Sequence, residues 1–157
     1  MVHVIGRPEA EAHALLDAVG VRIHAADAAT VDAPVEVIET VLPADSRMVR
    51  AVADIDVPED VDAGMGAWHV NPVDELHVVQ SGEGIMEFVT LDGIVSVLVG
   101  AGDVIEVRGA EHRYRPLTTQ RWALRFSGGP AAELVATETG RGADPWPRHP
   151  DDSPTSA

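Results

Sequence analysis

The spacing of apolar positions changes once along this chain, from a helical period to a strand period. Between Pro8 and Gly20 the apolar residues Ala12, Leu15, Leu16 and Val19 recur on one helical face, behind a proline and two glutamates and ahead of a glycine. Proline at the first helical position loses no hydrogen bond, acids favour the positive end of the helix dipole, and glycine closes the last turn. One short helix capping the domain is predicted there. Val35 to Leu42, bounded by Pro34 and Pro43, fits a second short helix or a strand, because β-branched residues and glutamates alternate in it.

From about Val49 onward the pattern is that of strands, at Val49–Val57, Ala67–Val70, Leu76–Gln80, Ile85–Thr90, Ile94–Val99, Val104–Val107, His112–Leu117 and Trp122–Ser127. Turn residues separate them at Ser81-Gly82, Asp92-Gly93, Gly100-Ala101-Gly102-Asp103 and Thr118-Thr119-Gln120. Asp92-Gly93 between two β-branched runs is the best hairpin signal. Short strands at nearly even spacing predict an all-β sandwich or barrel. After Gly140 proline and charge dominate and apolar residues are scarce, which predicts a disordered tail over 141–157. The expected organisation is a helical or extended cap over 1–48, a β-domain over 49–140, and that tail.

A length of 157 residues suits one domain with a sizeable core. The net charge of −15, from 26 acidic and 11 basic residues, disfavours nucleic acid and anionic membranes as partners. A small-molecule substrate is expected instead, and exposed sheet edges leave room for a homodimer. There is no cysteine, so disulfides, thiolate metal sites and cysteine nucleophiles are excluded and any metal must rest on nitrogen and oxygen. No signal-like or membrane-spanning apolar run occurs, and a cytoplasmic protein is the expectation.

The candidate chemistry lies in His69-x-Asn71-x3-Glu75-x-His77, followed by Gly82 and later by Gly102-x9-His112. Alternation puts His69 and Asn71 on one face, a turn at Pro72 reverses the chain, and Glu75 and His77 return on that same face. His112 joins from a later strand, and Tyr114, two residues on, shares its face and is a candidate for the pocket wall. A lone histidine on a strand is more often structural, but three donors in register with two glycines favour a site. A divalent first-row ion held by two imidazoles and a carboxylate keeps positions open for dioxygen or a bidentate substrate. His69, Glu75 and His112 supply that set. His77 is a further ligand, an acid–base group or a structural histidine, and Asn71, whose amide oxygen is a weaker donor than imidazole, would orient substrate or water or, without a metal, hydrogen-bond within a polar pocket.

Five arginines, Arg108, Arg113, Arg115, Arg121 and Arg125, fall within a short stretch of this acidic chain. Alternation turns Arg113 and Arg115 away from His112 and Tyr114, and Arg121 and Arg125 away from Trp122, Leu124 and Phe126. They are expected as an outer stripe paired with acids. Trp68 is expected beneath the N-terminal segment. His3, His13, His24 and His149 lack ligand spacing. Gly64-Met65-Gly66 and Gly82-Glu83-Gly84 open no helix and are turns, not phosphate loops.

These motifs resemble the cupin superfamily, whose first motif runs Gly-x5-His-x-His-x3,4-Glu-x6-Gly and whose second runs Gly-x5-Pro-x-Gly-x2-His. Asn71 stands where the second histidine belongs, Gly64 is one residue nearer His69 than the pattern asks, and Gly102 to His112 lacks the proline and is one residue short. The resemblance implies a jelly-roll β-barrel around one divalent metal, iron(II) first, with nickel(II) or zinc(II) as alternatives. Within the superfamily, His69 to Gly84, Gly102-Asp103, His112-Arg113-Tyr114 and Arg125-Phe126 resemble the acireductone dioxygenases. That likeness implies that His69, Glu75 and His112 correspond to three of four metal ligands, with His77 at the position of an arginine beside the substrate. The expected function is a metal-dependent cupin oxygenase with an altered ligand set. The alternatives are a non-catalytic ligand-binding cupin and a metal-dependent isomerase or lyase.

Overall fold

A computed structural model describes residues 3–25, 48–127 and 136–152. In chain order its elements are β1 (His3–Ile5), α1 (Glu9–Ala18), β2 (Val21–Ala25), β3 (Met48–Ile55), a 3-10 turn (Gly64–Gly66), β4 (His69–Val70), β5 (Asp74–Ser81), β6 (Glu83–Thr90), β7 (Gly93–Gly100), β8 (Asp103–Arg108), β9 (His112–Pro116), β10 (Gln120–Ser127) and β11 (Thr137–Glu138). Two antiparallel sheets result, one ordered β1-β7-β6-β9-β4-β11 and the other β2-β8-β5-β10-β3. Among the described residues the fold is thus mostly β with one short helix, and the two sheets do not close into the expected barrel. Sheet changes at the short crossings, as from β5 through Gly82 into β6, leave edges rather than joining the sheets.

Each predicted strand run has a counterpart, and the predicted helix is α1. The β6–β7 hairpin turns at Leu91-Asp92, where Gly93 takes a φ of 83° that a side chain would disfavour. The segment from Val35 to Leu42 lies outside the described residues. Pattern reading missed β1, β2 and β11, which are two to five residues long and form sheet edges.

Alternation builds the core. On β7, Val95, Val97 and Val99 are buried while Ile94, Ser96 and Leu98 between them are half-exposed. They pack with Val79, Met86, Phe88, Ile105 and Val107, and α1 adds Ala12 and Leu16, four positions apart and therefore on one helical face. Each such aliphatic side chain contributes about 1.5–3 kcal/mol when fully buried.

The outer face of the first sheet corrects two expectations. Arg113 does turn away from the cavity and does pair with an acid, but it is fully buried rather than part of a solvent-facing stripe. Its Nε and Nη2 donate to Glu87 Oε1 at 2.9 and 2.6 Å, and Nη2 donates to the Asp144 carbonyl at 2.9 Å. The guanidinium lies between two indoles, 3.8 Å from the Trp146 ring and 4.8 Å from that of Trp68. Trp68 therefore packs on Arg113, and its carbonyl accepts from Thr139 N at 3.0 Å, so its described partners come from the sheet and the C-terminal segment. Residues 141–152, which composition assigned to a disordered tail, have no regular element but several anchors. Trp146 Nε1 donates to Asp62 Oδ1 at 2.9 Å, Arg141 forks onto Glu111, and His149 Nε2 lies 3.2 Å from Glu83 Oε1. Trp146 and Asp144 of this segment are thereby laid over Arg113.

Candidate metal centre

A cavity of about 330 Å³ opens between the two sheets, and His69, Asn71, Glu75, His77, His112 and Tyr114 all line it. The route differs from the expected hairpin. β4 and β5 belong to different sheets, because Pro72 ends β4's run and the short link to Asp74 carries the chain across the sandwich. His69 and Glu75 consequently face each other from opposite walls.

In the first sheet, His69 on β4 and His112 on β9 are direct register partners, with ring centroids 4.4 Å apart. Phe88 on β6 is the next partner in the same row, 6.0 Å from the His112 ring, and gives the imidazole an apolar backing. His69 Nδ1 bonds the Ala67 carbonyl at 2.7 Å and His112 Nδ1 bonds the Ala110 carbonyl at 2.8 Å. A carbonyl only accepts, so each Nδ1 carries a proton, and in the neutral ring each Nε2 keeps its lone pair. Fixing the far nitrogen in this way is what orients an imidazole for metal ligation. Burial pushes the His112 pKa down to about 4, against an opposing pull from the Glu75 charge, so His112 is neutral near pH 7.

In the second sheet, β5 presents Glu75 and His77 to the cavity. Glu75 Oε2 lies 3.7 Å from His112 Nε2, and Glu75 Oε1 lies 3.3 Å from His77 Nε2. Asn71 donates its amide to Glu75 Oε2 at 2.9 Å. Burial raises the Glu75 pKa, but the hydrogen bond and charge of His77, the charge of His112 and the Asn71 amide together outweigh it. The carboxyl titrates below its ordinary range and is an anion at neutral pH.

The donor chemistry fits a divalent ion: two lone-pair nitrogens, one carboxylate and no thiolate. Asn71 Oδ1 and His77 Nδ1 are buried without a hydrogen-bond partner, and His77 Nε2 meets only Glu75 Oε1, as expected of groups that serve a ligand. Among the described residues, however, no three histidine, aspartate or glutamate side chains stand in a finished metal-binding cluster. The Asn71 amide also occupies Glu75 Oε2, and a coordinating carboxylate would have to share or release that bond.

Tyr114 lines the wall, but its hydroxyl donates to Gln120 and burial raises its pKa, so it stays protonated. Gln120 was read from sequence only as part of a turn. Gly84 was read the same way, yet a Cβ there would overlap the Tyr114 hydroxyl, so glycine makes room for the phenol. Trp122 stands edge-on to His77 with ring centroids 5.0 Å apart, and Ile55, Met65, Met86 and Leu124 complete an apolar wall.

No protein-family model matches the chain, and no curated protein matches it in sequence. Among solved structures it is similar to an acireductone dioxygenase from Bacillus anthracis with a cadmium ion in its active centre, at a TM-score of 0.59 and 16% identity over 80% of this chain and 91% of that one. It is also similar to oxalate decarboxylase from Bacillus subtilis, at a TM-score of 0.44 and 17% identity over 79% of this chain and 29% of that one. Among the described residues, two antiparallel sheets and one short helix, together with that likeness, give the chain a cupin fold.

Proposed function

We propose that this chain is a metal-dependent cupin enzyme acting on a small organic molecule held between its sheets. The observation that carries the reading is the pairing of His69 and His112, each locked through Nδ1 to a backbone carbonyl, opposite the Glu75 carboxylate. His69, Glu75 and His112 would hold the ion, iron(II) first and nickel(II) or zinc(II) otherwise. When bound, the ion supplies Lewis-acid activation of substrate or dioxygen. His77, beside Glu75 and free of other hydrogen bonds, holds or moves a proton at Nε2, or adds a fourth nitrogen donor. Asn71 Oδ1 is available to orient substrate or water, and Tyr114 contributes wall rather than acid–base chemistry. The oxygenase form of the proposal draws on the acireductone dioxygenase likeness, which spans most of both chains.

A second reading, a non-catalytic ligand-binding cupin, is favoured by the Asn71 amide on Glu75 and the lack of a finished donor cluster among the described residues. Expression in iron- and nickel-supplemented medium, followed by elemental analysis and dioxygen uptake with enediols, separates the two. Near-stoichiometric metal with uptake supports the oxygenase. Metal below about a tenth of an equivalent with no uptake supports the binding module. Turnover without oxygen selects an isomerase or lyase.

A further inference from the structure

β4 is too short to hold His69 by itself. It has two residues, where strands commonly run to about 5–6, and among the described residues it meets β9 at one register position, His69 opposite His112. One ladder position leaves the tilt of two rings, whose centroids lie 4.4 Å apart, to be settled by something else. A single stretch outside the cavity, Thr137 to Arg141, reaches both ring-bearing segments. β11 pairs with the other edge of β4, Thr137 opposite Val70 and Glu138 opposite His69. Thr139 N donates to the carbonyl of Trp68, the residue before His69, at 3.0 Å. Arg141 donates from Nε and Nη2 to the carboxylate of Glu111, the residue before His112, at 2.9 to 3.2 Å. Its guanidinium carbon stands 5.8 Å from the Trp68 ring. Glu111 is held in turn, because its carbonyl accepts from Val89 N on β6 at 3.0 Å.

We infer that Arg141 is a positioning residue for the metal centre, tying the peptide before His69 to the peptide before His112 from outside the cavity and so fixing how the two imidazoles face each other. The inference rests on the reading of both histidines as ligands to one ion. A guanidinium fork on a carboxylate sets direction as well as distance, which a single donor does not. Arg113 also touches Trp68, but it is buried and bound to Glu87, so its loss would disturb the sheet as a whole. The Arg141 side chain is 42% exposed, and an exposed pair adds little to overall stability. An effect of its removal on the imidazoles is therefore separable from folding.

The test uses the full chain, unaltered and as Arg141→Ala, Glu111→Gln and both together, with urea unfolding as the check on folding. In chelator-treated protein the NMR cross-peak between the ring protons of His69 and His112 reports their spacing without an ion, and cobalt(II) titration then measures its consequence. Both single variants should weaken the cross-peak at nearly unchanged unfolding midpoints and bind cobalt about tenfold more weakly, the low end for an outer partner of a metal ligand. The double variant should bind no more weakly than Arg141→Ala, because the two substitutions remove one shared contact. Should Arg141→Ala not fold, Arg141→Lys, which keeps the charge and loses the fork, takes its place. An unchanged cross-peak in the folded single variants, unchanged affinity in a chain that binds cobalt, or additive losses in the double variant overturns the proposal. A cross-peak that weakens as expected in a chain that takes up no cobalt sustains the positioning role and counts against the metal reading alone.

Discussion

Replacing Glu87 with alanine strips the Arg113 guanidinium of its buried, hydrogen-bonded counter-charge in a place that water does not reach. Arg113 is 0% exposed and Glu87 4%, and the two share a cross-strand register position between β6 and β9. Two charge-assisted bonds, at 2.9 and 2.6 Å, disappear together. Removing one partner of a buried pair costs about 3–5 kcal/mol, because the remaining ion stays desolvated. Against a typical total of about 5–15 kcal/mol, that brings the domain near its unfolding threshold. The Trp68 and Trp146 faces, the Asp144 carbonyl and the more distant, solvent-exposed Asp62 carboxylate, 3.9 Å from Nη1, offset only part of the loss. Glu87→Gln keeps an acceptor but loses the charge, so its cost should be about half. Exchanging both Arg113 and Glu87 for methionine should recover much of the alanine penalty, since two apolar groups strand no charge. Urea unfolding of the four proteins, analysed by linear extrapolation with unchanged slopes, gives each difference directly. A Glu87→Ala loss below about 1 kcal/mol, the size expected for an exposed pair, would refute the argument that this face is sealed.

The remaining predictions concern the cavity. His112 has its folded pKa depressed from 6.5 to about 4, so between those values the unfolded chain binds more protons and stability falls as pH falls. Metal-free protein should lose about 3 kcal/mol from this group by pH 4, and His112→Asn should lose that much less; parallel pH profiles of urea stability would contradict the shift. Gly84→Ala should cost about 1–3 kcal/mol and alter the near-ultraviolet dichroism of Tyr114, the only tyrosine in the chain, with an unchanged spectrum and stability counting against the packing described.

What could be seen in the sequence was which face each strand residue shares. Parity put His69 with Asn71, Glu75 with His77 and His112 with Tyr114, and all six line one cavity. Parity does not say which sheet a strand enters, so the Pro72 crossing looked like a hairpin. Nor does it say what covers a face. Arg113 and Trp68 lie on the side away from the cavity, as alternation requires, but the residues that bury them are Glu87, Asp144 and Trp146, the last two from a segment whose composition suggested disorder. Gln120 and Gly84 matter through Tyr114, the first across the two sheets and the second on the neighbouring strand, contacts that no local pattern encodes. The edge strands β1 and β11 are two or three residues long, too short for a period to register.

The central claim is that His69, Glu75 and His112 share one ion, and cobalt(II) titration followed by absorption tests it most directly. The account predicts one saturable equivalent per chain with visible bands from nitrogen and oxygen ligation, lost in folded His69→Ala and in folded His112→Ala. Absence of such bands in the unaltered protein, or identical titrations in both variants, would contradict it.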